Sequence, residues 1–205
     1  MNRTKTKENE RAGTLQRCLS DCSIRAVEGA ERRFELSFSS EEPYERWWGT
    51  EILSHAEDAV DLTRLNSIGC VLYNHNRDKV IGKIISASVE NGRGKATIEF
   101  DEDNESDIVY KKVANETLKG VSVGYVVDAW EEVASGKKSK DGRFTGPCSI
   151  AIKWTPFEVS IVSVPADPTV GVGRAHDENS KGVSGFYFNE KQLQINANLL
   201  KEVKK

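Results

Sequence analysis

Residues 80–100 read VIGKIISASVENGRGKATIEF, and this stretch decides the fold class. Val80 to Val89 is rich in valine and isoleucine, as a strand requires. Asn91-Gly92-Arg93-Gly94 has turn chemistry. Ala96, Ile98 and Phe100 then alternate with polar neighbours, which is the pattern of a returning strand with one buried face. Working outward, the alternation recurs. Phe34, Leu36 and Phe38 point one way with Glu35 and Ser37 between them, and Pro43 ends that run. Tyr44 to Leu53, with Trp47 and Trp48, reads as a second extended piece. Gly69 to Tyr73 is a short apolar run suited to a buried strand, ending in the polar loop Asn74–Asp78. Val121 to Trp130 and Ile150 to Val164 are further strands, the latter interrupted at Pro156. Two segments have helical spacing. Residues 57–66 would bury Val60, Leu62 and Leu65, and residues 105–118 place Val109 and Val113 four apart, with Gly120 as the stop. The expected class is α+β, mostly β: an antiparallel sheet or barrel with flanking helices.

Length and composition constrain the rest. At 205 residues, 38% hydrophobic and 30% charged, the chain can bury an ordinary core without a metal or disulfide staple. Residues 1–30 are charged with little periodicity and read as a flexible N-terminal arm. Residues 31–170 form the expected domain. Residues 171–205 form a tail whose lysine-rich end could carry a helix. No run approaches the ~20 apolar residues that span a bilayer, and the charged N-terminus is not a secretory signal, so a cytoplasmic location and no membrane partner are expected. A net charge of −3 points away from nucleic acid as a specific partner. Cys18, Cys22, Cys70 and Cys148 are expected to be free thiols. The Cys18/Cys22 pair lacks a second pair of ligands, so neither metal nor cofactor is expected.

Three segments could carry chemistry: Asn74-His75-Asn76, Ser122-Val123-Gly124-Tyr125 and Glu158-Val159-Ser160. On its strand Ser122 shares a face with Gly124, opposite Val121, Val123, Tyr125 and Val127. A hydroxyl beside a glycine leaves room for another backbone to approach. A serine nucleophile needs a base within reach, and the histidines are His55, His75 and His176. His75, delivered by the end of an apolar strand, is the best placed. His55 stays open, and His176 reads as a solvated tail residue. A thiol or metal site using Cys70 and His75 is a poorer reading, because nearby ligands are lacking.

Taken in order, these segments resemble the prohead protease family of tailed phages, whose fold is shared with herpesvirus capsid-assembly proteases. The likeness runs from about Arg33 to Pro168 through Phe34–Pro43, Glu51-Ile52-Leu53, Asn74-His75-Asn76, Ile81-Gly82, Ser122-Val123-Gly124-Tyr125, Glu158-Val159-Ser160 and Pro165-Ala166-Asp167-Pro168. The resemblance implies a protease domain over 31–170 with Ser122 as nucleophile, His75 as base and Glu158 as the acidic third member, Asp128 and Asp167 being rivals for that last place. Ser160 would share the face of Glu158. Backbone amides near Gly124, or Arg143, are candidates for the oxyanion donors. It further implies a serine endopeptidase, active without cofactor in the host bacterial cytoplasm inside the assembling prohead. Its partners would be the major capsid protein precursor, with its scaffold portion as substrate, and further copies of itself as a dimer or larger homo-oligomer. Self-cleavage is also implied. The alternative is a non-catalytic capsid-assembly module that kept the fold.

Overall fold

The computed structural model describes residues 13–18 and 24–164. The hairpin at residues 80–100 is its organising element. Strands β7 (Asn76–Glu90) and β8 (Arg93–Phe100) pair antiparallel around Asn91-Gly92. Both turn residues have positive φ, 53° and 68°, the two-residue turn whose twist matches that of the flanking strands. On the far side of β8 lies β3 (Arg33–Ser40), with Phe34 opposite Ile98, and beyond it the short β2 (Ile24–Ala26). Phe34, Leu36, Phe38, Ala96, Ile98 and Phe100 all bury their side chains in the main core.

The other half of the sheet is built on the long antiparallel pair β9 (Gly120–Val133) and β10 (Cys148–Val162). Strand β6 (Cys70–Tyr73) joins β10 to the hairpin, and β1 (Leu15–Cys18) lies on the outer edge of β9. A small hairpin of β4 (Tyr44–Arg46) and β5 (Gly49–Leu53) attaches to the beginning of β10. The order along the sheet is β1-β9-β10-β6-β7-β8-β3-β2. Among the described residues this path stays open instead of closing into a barrel, but β3 comes into contact with β9 and β1.

Several expectations are corrected. The sheet is mixed: β10 runs parallel to both β5 and β6. Alternation within a segment reports which face is buried, and it carries no information on the direction of a partner eighty residues away. The expected flexible arm includes two paired strands, β1 and β2, too short for their periodicity to register. Helix α1 covers Thr63–Ile68 rather than 57–66, because Val60 is drawn into a bridge with Trp154 and Asp61 accepts the Thr63 amide. Helix α2 (Asn104–Ala114) begins where Asp103 caps the amides of Glu105 and Ser106, satisfying donors the first turn leaves open. It ends before Gly120, which starts β9 instead. The polar loop at 134–148 is partly tied, with bridges from Ser135 to Gly146 and from Lys138 to Thr145. The expected C-terminal helix lies outside the described residues.

The core also holds a serine–histidine pair. His55 donates from Nδ1 to the Leu53 carbonyl at 3.0 Å, so its Nε2 accepts from Ser39 Oγ at 2.7 Å. Its ring stands edge-on to Trp154. Ser39 is 0% exposed and His55 8%. Burial, aided by Arg17 and Arg143 and opposed by Glu41, pulls the imidazole down to about 4. Between that value and the ordinary 6.5 the unfolded chain binds a proton that the folded chain refuses, so stability rises with pH across this window. Lowering the pH from 6.5 to 4 is therefore expected to remove about 3 kcal/mol of stability through His55. Urea unfolding measured at intervals across that range checks this, and His55→Gln should flatten the dependence by a corresponding amount.

Candidate active site

The turn between β6 and β7 holds only two residues, Asn74 and His75, both at positive φ (53° and 57°). The expected five-residue loop is thus contracted, because Asn76 already pairs with Tyr73. Left-handed backbone is uncommon for residues other than glycine, with Asn and His among those that tolerate it best, and the turn is fastened to the end of β10. The Asn74 amide donates to Ile161 O at 2.9 Å, the His75 amide to Ser160 Oγ at 3.1 Å, and the Ser163 amide to Asn74 Oδ1 at 2.9 Å.

That turn delivers the imidazole between Ser122 of β9 and Glu158 of β10. Nδ1 lies 2.6 Å from Glu158 Oε1 and Nε2 lies 2.7 Å from Ser122 Oγ. A carboxylate only accepts, so Nδ1 carries a proton, and in the neutral ring Nε2 faces the serine as an acceptor. Ser160 Oγ donates to Glu158 Oε2 at 2.7 Å while accepting the His75 amide. Its single proton is committed to the carboxylate, which leaves it a brace between Glu158 and the backbone of His75.

The register of β10 makes this possible. Pro156 lies opposite Tyr125 and Glu158 opposite Gly124, so Phe157 is taken up in a bulge. Shifting a strand by one residue moves its side chains to the opposite face. Without the bulge Glu158 would lie opposite Val123 and point into the core. With it, Glu158 and Ser160 share the face of Gly124 and Ser122. Pro156, with no N–H to give a ladder, suits that position.

Gly124 has a different task from the one expected. A Cβ there would collide with Glu158 Oε1 and come within 2.7 Å of the Phe157 ring. The space over Gly124 is filled by the carboxylate of Glu158 and the Phe157 ring, not left for an incoming backbone.

Of the other candidates, Asp128 is exposed and interacts with Thr155. Asp167 and His176 lie outside the described residues. His55 belongs to the separate cluster with Ser39. Arg143 is engaged with Glu41, Asp141 and Ser54 on that side of the molecule, away from Ser122. The Cys70 thiol is pushed up by burial and by Glu158, which disfavours a thiolate. Cys18, Cys70 and Cys148 are not in disulfides. Among the described residues, no group of three or more His, Cys, Asp or Glu side chains is placed to hold a metal ion.

Two features were missed from the sequence. The side chains of Gln16 and Cys18 on β1 help line a cleft of about 260 Å³ beside His75, Ser122 and Ser163. Ser122 Oγ also lies 3.0 Å from the carbonyl oxygen of Arg17, and the residue is only 3% exposed. A four-residue strand inside a charged segment offers no periodicity by which to find it.

The serine and the glutamate on the paired strands β9 and β10, and the histidine on the turn between β6 and β7, stand in one hydrogen-bonded line, the arrangement seen in serine-hydrolase-like sites. Residues 48–181 match the family described as Caudovirus prohead serine protease, and the chain belongs to that family. It is also 32% identical over 153 residues to a protein named major capsid protein from Halomonas phage phiHAP-1. The match covers 73% of this chain and 24% of that relative, so the chain spans about a quarter of the relative's length. No solved structure matches.

If Gly124 exists to admit the carboxylate, Gly124→Ala should push Glu158 off His75. The low-field proton resonance of the Nδ1–H···Oε1 bond is expected to vanish both in Gly124→Ala and in Glu158→Ala. Overpacking should cost about 1–3 kcal/mol of stability. A low-field resonance unchanged in Gly124→Ala would show that the strand absorbs the methyl without moving the carboxylate.

Proposed function

We propose that the chain is a serine endopeptidase of capsid maturation, with Ser122 as nucleophile, His75 as general base and acid, and Glu158 as the group that orients and charge-balances the imidazole. The observation that carries this reading is the continuous line Ser122 Oγ–His75–Glu158, with contacts of 2.7 and 2.6 Å. In the first step the Ser122 proton passes to His75 Nε2 as Oγ bonds to the scissile carbonyl carbon, forming a tetrahedral oxyanion. His75 then gives that proton to the leaving amine as the C–N bond breaks, which leaves an acyl group on Ser122. Water enters, loses a proton to His75 as it bonds to the acyl carbon, and His75 returns that proton to Ser122 Oγ as the ester bond breaks and the acid product leaves. Glu158 keeps Nδ1 protonated throughout and balances the imidazolium as it forms. Ser160 holds the second oxygen of Glu158, so the carboxylate cannot swing away.

The substrate proposed is the capsid precursor, with its scaffold portion as the part removed. Family membership supports this. So does the relative named major capsid protein, in which a segment similar to this chain and the capsid function share one polypeptide. Action inside the assembling shell, as a dimer or larger homo-oligomer that also trims itself, belongs to the same proposal. The capsid name of that relative also favours a second reading, a non-catalytic assembly module.

The two readings separate by co-expression with the cognate capsid precursor and intact-mass analysis of both proteins. Wild type is expected to cut the precursor and Ser122→Ala to leave it whole. Glu158→Gln should slow cleavage by roughly 10²–10⁴-fold, by analogy with loss of the acidic member in other triads. Equal cleavage by wild type and Ser122→Ala would sink the assignment of the nucleophile. An intact precursor in every case would favour the assembly module.

A further inference from the structure

Strand β1 sits where a peptide substrate would have to lie. It pairs antiparallel with the free edge of β9 in a register that sets Cys18 opposite Ser122 and Arg17 opposite Val123. Its Arg17 carbonyl turns its oxygen toward Ser122 Oγ at 3.0 Å. A hydroxyl has one proton, so a proton given to Arg17 O is withheld from His75. The strand also leaves Ser122 almost without access to solvent.

The side chain of Arg17 turns to the other face and enters a built pocket. Its guanidinium is 2% exposed, donates to the Glu42 carbonyl, stands 5.3 Å from the centre of the Tyr44 ring and lies 4.0 Å from Glu51 Oε1. Glu51 is 0% exposed and is held from other directions by Arg46 at 3.2 Å and by the Tyr125 hydroxyl. The fit is incomplete: Arg17 Nε and Nη1 and Glu51 Oε2 are buried with no hydrogen-bond partner. A buried guanidinium left part-satisfied is costly. The pocket is thus made for a cation, while its present occupant is held less firmly than a fully bonded one.

We propose that β1 is a built-in occupant of the substrate strand's place, displaced by an extended peptide that adds to β9, and that Glu51 selects an arginine or lysine as the residue whose carbonyl meets Ser122. The proposal rests on the hydrolytic reading of the site. Its first element is recognition by strand addition, in which main-chain bonds supply affinity and side-chain pockets supply choice. Its second is competition, because an intramolecular strand is present at high effective concentration.

The test measures binding, with turnover removed by Ser122→Ala in the full chain. The probe is a fluorescent peptide of the sequence of residues 14–20 with serine at its cysteine position, and its partner carries alanine at the arginine position. Adding Arg17→Ala is expected to tighten binding of the arginine peptide at least tenfold over Ser122→Ala alone. The arginine peptide should exceed the alanine peptide by a similar factor, and Glu51→Gln in the same chain should erase that preference. No tightening in a chain that still unfolds cooperatively, or equal binding of the two peptides, overturns the proposal. Should Arg17→Ala fail to fold, hydrogen exchange on the Ser122→Ala chain decides. The amides of Leu15–Cys18 should lose protection when the arginine peptide binds, and retained protection with peptide bound overturns displacement. A chain that passes these tests yet never cuts a capsid precursor would refute the protease reading alone.

Discussion

Strand β10 must serve two neighbours at once, β9 running against it and β6 running with it, and the site depends on how it meets both. Its antiparallel ladder to β9 sets Ser160 opposite Ser122, and its parallel ladder to β6 sets Ile161 opposite Tyr73, one residue before the turn that carries His75. Ser122 and His75 come from chain segments 47 residues apart, and each is located by its register on the same strand. The bulge at Phe157 adds the third group to that face. An error of one residue in either ladder would dissolve the constellation while leaving a well-formed sheet.

The two serine–histidine pairs in this molecule share a distance and differ in their surroundings. Ser39–His55 and Ser122–His75 have the same 2.7 Å separation. In the first, the second ring nitrogen donates to a neutral carbonyl, burial keeps the imidazole uncharged, and Ser39 has no route to solvent. In the second, the second nitrogen faces a carboxylate able to balance a positive ring, and the imidazole, 15% exposed, borders a cleft. Electrostatic surroundings and access divide the two, and distance does not.

Much of this was legible in the sequence. The hairpin at 80–100 announced itself through Asn91-Gly92 and the alternation of Ala96, Ile98 and Phe100, because burial of one sheet face and a positive-φ turn both leave local marks. The inward set Val121, Val123 and Tyr125 did so for the same reason. His75, Ser122 and Glu158 were named together only through resemblance to a family, since nothing in the spacing of single residues tells that three strands will meet. What stayed hidden was non-local or brief: the parallel pairings of β10, the bulge that turns Glu158, and β1. Gly124 was singled out with the wrong neighbour in mind. A glycine on a strand says that something comes close, and only the fold says what.

The turn that carries His75 has a mechanical side. Asn74 holds Ile161 through its amide and Ser163 through its side chain, and His75 holds Ser160, so the turn is lashed to the final residues of β10. The end of β10 and the turn under the imidazole are therefore tied together, so that a displacement of Ile161–Ser163 would be passed on to the ring that faces Ser122.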